Sequence, residues 1–161
     1  MNLSHYYDPA IHHRKSLRLP TYNYSSCGAY FVTVCLQANH PYLEDPQLRH
    51  PLEETWYALP QHFRRAVLDE FVIMSDHIHF IIWLDPHEEN YPTLADVLRV
   101  YKSLTGRAAL NYLRSKGYAV GSQFWQRSYR DRVIRNETEL QQKRDYIRNN
   151  PIKDDLKHNR L

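Results

Sequence analysis

Glycine, cysteine and long apolar runs are scarce in this sequence. Only 4 of the 161 residues are glycine, and the sequence has no Gly-rich phosphate loop of the Walker type, which disfavours a nucleoside triphosphate site of that kind. Cys27 and Cys35 have neither metal nor redox spacing, so we interpret them as free thiols in a reducing compartment. No apolar run approaches the roughly 18 residues of a membrane span, and there is no apolar signal region. We therefore expect a cytoplasmic protein with no membrane partner.

Charge is distributed unevenly along the chain. Residues 1–98 contain 6 Lys and Arg against 12 Asp and Glu, a net charge of −6. Residues 99–161 contain 15 Lys and Arg against 6 Asp and Glu, a net charge of +9, so the whole chain carries +3. This asymmetry favours a polyanionic partner for the C-terminal third, nucleic acid above all, although a solvated helix surface would have a similar composition.

The order of the apolar patterns predicts one α+β domain over residues 1–161, with an irregular basic segment at 1–27. β-Branched and aromatic runs alternate with helical periodicities in the order β, α, β, β, α, β, α. The first six elements match the ferredoxin-like, or split βαβ, antiparallel sheet with helices on one face, and a C-terminal helix follows. The predicted elements are strands at 29–36, 71–74, within 75–84 and at 129–135, with a tight hairpin turn near residues 75–76. A loop is predicted at 39–51, and helices at 52–68, after the N-cap Thr93, and from the N-cap Asn136 to Asn150.

The most β-like run, residues 75–84, contains two histidines, His77 and His79. Because strand side chains alternate between faces, both histidines point to one face, while Ile78 and Phe80 point to the core. Neutral imidazoles are common ligands of transition metals, and this spacing would let the two share one ion. The same spacing also occurs in hydrogen-bonded histidines at a sheet face.

Two further patterns lie in the basic third of the chain. Tyr146 and Asn150 are four residues apart on a predicted helix and share one face. A phenol can attack phosphorus and an amide oxygen can bind a hard cation, although a helical Tyr more often serves packing. Residues 123–132 interleave aromatic residues with Arg. This pattern suits a single nucleic-acid strand, and it also suits a strand whose rings enter the core.

Together these elements resemble the single-tyrosine HUH transposases and, more narrowly, the REP-associated tyrosine transposases. The resemblance rests on Asp-His-Ile-His at 76–79, Phe-Trp-Gln-Arg-Ser-Tyr at 124–129 and Tyr-Ile-x-x-Asn-Pro at 146–151. The basic stretch at 14–19 and the run at 22–33 extend it over about residues 12–156. Asn150 stands where the insertion-sequence relatives usually carry Gln, and the REP-associated branch commonly carries Asn.

The resemblance implies an HUH-endonuclease fold and an enzyme that cuts and rejoins single-stranded DNA beside imperfect hairpins. His77 and His79, with Asn150, would bind Mg²⁺ or Mn²⁺, and Tyr146 would be the nucleophile that stays joined to the 5′ phosphate. Such a protein would be nucleoid-associated in the cytoplasm, as a monomer or homodimer. The candidate DNA contacts are Arg14, Arg18, Lys102, Arg107, Trp125, Arg127, Arg130 and Arg132.

Two other functions stay open on the residues alone. One is a non-catalytic nucleic-acid module, including a domesticated transposase that binds hairpins without cutting them, although the sequence has no RNP1-type run. The other is a zinc hydrolase, which would need a third strong ligand and a carboxylate base. Asp76 is adjacent to the pair, but strand alternation predicts that it points to the opposite face. A covalent protein–DNA product would separate the transferase from both alternatives.

Overall fold

A computed structural model describes residues 28–38, 40–64, 66–84 and 92–158, with side chains to residue 151. The predicted order of elements is confirmed. The segment 1–27, with Arg14, Arg18 and Cys27, lies outside the described residues. The elements are β1 (Gly28–Cys35), a short 3-10 helix (Tyr42–Glu44), α1 (Pro46–His62), β2 (Ala66–Ile73), β3 (His77–Leu84), α2 (Leu94–Ser115), β4 (Arg130–Val133) and α3 (Glu137–His158).

The four strands form one sheet in the order β2-β3-β1-β4, and every neighbouring pair is antiparallel. This order places β1 and β3 in the centre, as the split βαβ arrangement requires, so the predicted ferredoxin-like fold is confirmed. The tight turn expected between β2 and β3 lies at residues 74–76.

The sheet is covered on both faces. Alternate residues of the strands, including Val32, Phe80 and Ile82, pack with α1 and α2 in the larger core cluster. The other face carries a smaller cluster in which Ile81 and Trp83 pack with residues of α3. The helices on one face are therefore α1 and α2, and among the described elements α3, which contains Tyr146, is the helix on the opposite face.

Helix α1 begins six residues earlier than the sequence predicts, inside a stretch interpreted as loop. Asp45 caps it by accepting a hydrogen bond from the Gln47 backbone N–H at 2.9 Å, and Pro46 occupies the first helical position, where its missing donor costs nothing. Pro51 and Pro60 lie inside the helix. Packing of its apolar face, including the fully buried Trp56, holds the helix despite both prolines.

Two other boundaries also differ from the prediction. Strand β2 begins at Ala66, five residues before the predicted start, in a stretch assigned to the preceding helix. Helix α3 continues through Pro151 to His158, so the prediction that the helix would end at Asn150 is wrong. Pro151 lacks the N–H that would bond to the carbonyl four residues earlier, but the residues on both sides of it remain helical.

The predicted helix caps are confirmed. Thr93 and Asp96 form a reciprocal capping box at the start of α2, and the Asn136 side chain accepts from the Glu139 backbone N–H at 2.8 Å before α3. These hydrogen bonds hold the Asp96 carboxyl in its charged form and lower its pKa. No helix in the described part of the chain is long and apolar enough to cross a membrane.

Candidate active site

His77 and His79 lie at the start of the central strand β3 and point to the face covered by α3. Their neighbours Ile78 and Phe80 are fully buried in the opposite core, so the predicted alternation is confirmed. The two Nε2 atoms are 3.0 Å apart, and the rings meet edge to face. Two imidazole nitrogens at this separation are close enough to bind the same cation.

A hydrogen bond to Nδ1 orients each imidazole. The Asp76 carboxylate lies 2.5 Å from His77 Nδ1, and the Thr33 hydroxyl lies 2.9 Å from His79 Nδ1. Because a carboxylate only accepts, His77 carries its proton on Nδ1 and keeps a lone pair on Nε2. The expectation that Asp76 points away from the histidines is wrong, since Asp76 belongs to the turn before β3, where strand alternation does not apply.

His79 is neutral at physiological pH. Its side chain is buried, and burial lowers its pKa to about 4, with further contributions from His77 and Lys143. A neutral imidazole is the form that binds a cation. In the structure one Nε2–H donates to the other Nε2 at 3.0 Å, and the Thr33 hydroxyl can either donate to His79 Nδ1 or accept from it. The tautomer with the proton on Nδ1 and Thr33 accepting is the one that would free His79 Nε2 for a cation.

The described residues contain no group of three His, Cys, Asp or Glu side chains that could hold an ion. Cys35 pairs with His77 across β1 and β3, and it is a free thiol, as predicted. Burial and the nearby Asp76 raise the pKa of this thiol, so it is a poor ligand. Among the described residues, Asn150 is the amide that the sequence analysis assigns to such an ion.

Tyr146 lies beside the histidine pair of its own chain. The Tyr146 ring centroid is 5.4 Å from that of His79 and 5.8 Å from that of Phe31, and 42% of the residue is exposed. Lys143, one helical turn before Tyr146, places Nζ 4.6 Å from the centre of the Phe31 ring and 5.9 Å from that of the Tyr146 ring. The sequence analysis missed Lys143, although its spacing of three residues from Tyr146 was a usable signal.

Asn150 lies one helical turn beyond Tyr146, inside α3, and is half-buried. It therefore shares the helix flank of Tyr146. Its contact with an ion stays a prediction.

Two consecutive carboxylates of β2 fix α3 on the sheet. The pairing of β2 with β3 shifts between Leu68 and Phe71, where three residue steps on β2 match two on β3. This β-bulge turns both Asp69 and Glu70 towards α3, whereas a regular strand would point them to opposite faces. Asp69 accepts from Arg144 Nε at 2.9 Å and Nη2 at 2.6 Å, and Glu70 accepts from Arg148. Neither pair was predicted from the sequence.

The predicted DNA-contacting residues that the structure describes do not form one surface. Arg130 pairs with Thr33, and Arg132 with Phe31, so both lie on the histidine face of the sheet, as strand alternation predicts. Arg130 is exposed, whereas Arg132 donates to Glu139 of α3. Arg107 and Arg127 are exposed along a groove between α2 and the segment 122–129.

Two of the predicted contacts have other roles in the fold. Trp125 is 4% exposed, and its indole N–H donates to the Thr105 hydroxyl at 2.9 Å, so it is not a stacking platform. Lys102 donates to the carbonyls of Gln126 and Arg127 at 2.6 and 2.8 Å, which ties this segment to α2. The ring entered the core because Thr105 supplies a buried acceptor that the linear pattern does not reveal.

Comparison with known proteins identifies the family of this chain. The family model described as "Transposase IS200 like" matches residues 24–150. The chain belongs to this transposase family, and the resemblance to single-tyrosine transposases is confirmed.

Two proteins of Haemophilus influenzae are similar to this chain over most of its length. An uncharacterized protein of Haemophilus influenzae is 32% identical over 91% of this chain and 92% of its own length. A candidate REP-associated tyrosine transposase from the same organism is 26% identical, over 81% of this chain and 74% of its own length.

Solved structures share the fold. A REP-associated tyrosine transposase bound to a REP hairpin matches with a TM-score of 0.57 and 22% identity, covering 78% of this chain and 67% of that one. A candidate transposase from Deinococcus radiodurans matches with a TM-score of 0.55 and 16% identity, covering 82% and 95%.

Proposed function

We propose that this protein is a metal-dependent single-stranded DNA endonuclease and strand transferase of the REP-associated type. The proposal is carried by the juxtaposition of Tyr146 with His79, whose rings lie 5.4 Å apart within one chain. A solvent-accessible phenol beside two facing imidazole nitrogens suits nucleophilic attack on a polarised phosphate. Because one chain supplies all these groups, a monomer would be sufficient for cleavage.

At Tyr146 we expect a transfer in which the phosphate exchanges its ester bond to the 3′ oxygen for an ester bond to the tyrosine oxygen. The phenol oxygen bonds to phosphorus, and the bond from phosphorus to the 3′ oxygen breaks. The phenol gives up its proton and the departing 3′ oxygen takes one up, which leaves a 5′-phosphotyrosine and a free 3′ hydroxyl. A second 3′ hydroxyl can reverse the step, so rejoining needs no nucleoside triphosphate.

The surrounding residues would orient and stabilise this attack. His77 and His79, with Asn150, would hold Mg²⁺ or Mn²⁺, which supplies positive charge at the scissile phosphate. Asp76 accepts from His77 Nδ1, and the Thr33 hydroxyl is hydrogen-bonded to His79 Nδ1, so both imidazoles are held in place. The Lys143 ammonium, 5.9 Å from the centre of the Tyr146 ring, would add positive charge beside the scissile phosphate.

The proposed substrate is single-stranded DNA beside an imperfect hairpin. It rests on the structural neighbour that is bound to a REP hairpin and on the exposed Arg130, which shares the sheet face of the histidines. A protein with this role would act at the chromosome, in the cytoplasm. A domesticated protein that binds the hairpin without cutting it is the alternative that the same test addresses.

Tyr146→Phe is expected to abolish the covalent protein–DNA adduct, because it removes the only atom proposed to attack phosphorus. The wild-type protein would be incubated with Mn²⁺ and a labelled single-stranded hairpin from repeats that flank its own gene. Denaturing gels would be read for a band that carries both protein and label. Tyr118→Phe is the matched control, since Tyr118 is similarly exposed but lies after α2, away from the histidines.

Three outcomes are informative. An adduct that Tyr146→Phe removes and Tyr118→Phe retains supports the transferase. An adduct that persists in Tyr146→Phe assigns the nucleophile elsewhere. Tight hairpin binding with no adduct across several hairpins and metals contradicts the enzyme and favours the hairpin-binding alternative.

Asp76→Asn is expected to weaken Mn²⁺ binding by roughly 10–100-fold, the usual effect of removing the group that orients a ligating imidazole. The amide keeps the size of the side chain but no longer enforces the Nδ1 proton of His77. Calorimetric titration with Mn²⁺ measures the change, and Glu53→Gln, an exposed carboxylate of α1, is the control. Equal affinities in Asp76→Asn and the wild type would contradict a binding site at the two Nε2 atoms.

A further inference from the structure

The groove between α2 and the segment 122–129 lies on the side of the molecule away from the tyrosine helix. It encloses about 650 Å³, within the range of about 300–1,000 Å³ of sites that take organic ligands. Ser103 and Gly106 of α2 lie along one wall, and the narrow apolar floor is formed by the edges of Leu98, Leu110 and Phe124, which are otherwise buried. No Asp or Glu among the described residues lines it, whereas five cationic side chains do: Arg99, Lys102, Arg107, Arg114 and Arg127.

Much of this positive charge is not neutralised within the described structure. Arg107 and Arg127 are exposed and make no ion pair with another described residue. Lys102 and Arg114 donate only to backbone carbonyls, which carry no net charge. Of these five cations, Arg99 alone forms an ion pair with a described carboxylate, that of Asp96 at 3.2 Å. A cationic rim above an apolar floor is the combination that a single nucleic-acid strand requires, because its bases are unpaired and its phosphates are charged.

The groove is connected to the active site by the backbone of its own wall. The backbones of Phe124 and Gln126 are hydrogen-bonded to Gln37 and Cys35 at the end of β1, at 2.8 and 2.9 Å. Three residues beyond Arg127, a rise of about 10 Å in extended chain, Arg130 pairs with Thr33, the partner of His79. The Lys102 side chain ties the start of this path to α2. Arg127 and Arg130 therefore mark a short cationic path from the groove to the histidines.

We propose that this groove binds the unpaired nucleotides that lead away from the scissile phosphate, with bases in the apolar trough and phosphates on Arg107 and Arg127. The proposal deepens the proposed function, because it assigns the single-stranded part of that substrate to a second place on the protein. A duplex stem fits the groove less well, since its bases are stacked inside the helix and only phosphates could reach the rim.

The test measures binding alone, with Tyr146→Phe protein in EDTA and fluorescently labelled single strands. Arg107→Ala with Arg127→Ala is expected to weaken binding about tenfold or more, and to make the salt dependence shallower by about 0.7 for each lost phosphate contact. Ser103→Trp keeps the charge but fills the trough, and it is expected to weaken binding about fivefold or more. Arg64→Ala is the matched control, because Arg64 is exposed before β2, at the opposite edge of the sheet.

The outcomes distinguish a failure of the groove proposal from a failure of the proposed strand transfer. Groove variants that bind single strands as tightly as the control overturn the proposal and leave the transferase intact. Loss of binding in the groove variants, with no adduct in the wild type, supports the groove and contradicts the transferase. A blunt duplex that competes as well as the single strand, with Ser103→Trp unaffected, overturns the assignment to unpaired nucleotides.

Discussion

Asp69→Asn is expected to lower the free energy of unfolding by about 3–5 kcal/mol, the usual cost of removing one charge from a buried ion pair. The Asp69 and Arg144 side chains are 3% and 9% exposed, and both guanidinium contacts lie within hydrogen-bond distance. Asp69 also accepts from the Trp83 indole N–H at 2.9 Å. The amide would offer one acceptor to three donors and leave the Arg144 charge in a desolvated site.

The loss of stability would first affect α3, the helix that contains the proposed nucleophile Tyr146. Helix α3 packs on its sheet face through the small apolar cluster that includes Ile147, together with the two bulge carboxylates. Weakening the Arg144 contact would let α3 open locally while the core beneath α1 and α2 stays folded. Adduct formation should therefore decline together with hydrogen-exchange protection in α3, and before the sheet unfolds.

Arg148→Gln provides the matched comparison on the same helix. Its ion pair with Glu70 has the same chemistry, but the two side chains are 55% and 23% exposed. Exposed pairs contribute about 0–1 kcal/mol, so this variant should remain close to the wild type. Urea unfolding of the three proteins measures the difference. Similar losses in Asp69→Asn and Arg148→Gln would show that burial does not determine the contribution of these pairs.

The sequence predicts the candidate site residues better than it predicts the long-range contacts that hold their helices and strands in place. The histidine pair follows from a period of two and the Tyr146–Asn150 pair from a period of four, both properties of one element. The caps at Thr93 and Asn136 are likewise local, and they were predicted correctly. Patterns within a single helix or strand therefore predicted most of the candidate site residues.

The features that were missed depend on residues far apart in the chain. Asp69 and Arg144 are 75 positions apart, and only the bulge in β2 turns Asp69 and Glu70 to the same side. Bulges leave no reliable mark in a short apolar run. The burial of Trp125 depends in the same way on a hydroxyl 20 positions earlier in α2. Local propensity cannot reveal contacts that exist only once the sheet has formed.

Acid is expected to destabilise the protein through His79 when no divalent ion is present. The pKa of His79 is about 4 in the folded state, because burial and the neighbouring His77 and Lys143 disfavour its charged form, against 6.5 for an ordinary imidazole. The unfolded chain therefore binds more protons between these two values. The contribution of His79 to stability is fully present above pH 6.5 and is lost as the pH falls towards 4.

The expected loss across this window is about 3 kcal/mol, since each unit of pKa difference corresponds to about 1.4 kcal/mol. His79 is 5% exposed, so solvent screening does little to reduce this value. Urea unfolding in EDTA from pH 7.5 to 4 measures the slope, and His79→Gln should flatten it because the amide has no proton to gain. His62→Gln, which alters an exposed imidazole at the end of α1, should keep the wild-type slope. Parallel curves for His79→Gln and the wild type would contradict the assignment, because they would mean that the folded protein does not disfavour the charged form of His79.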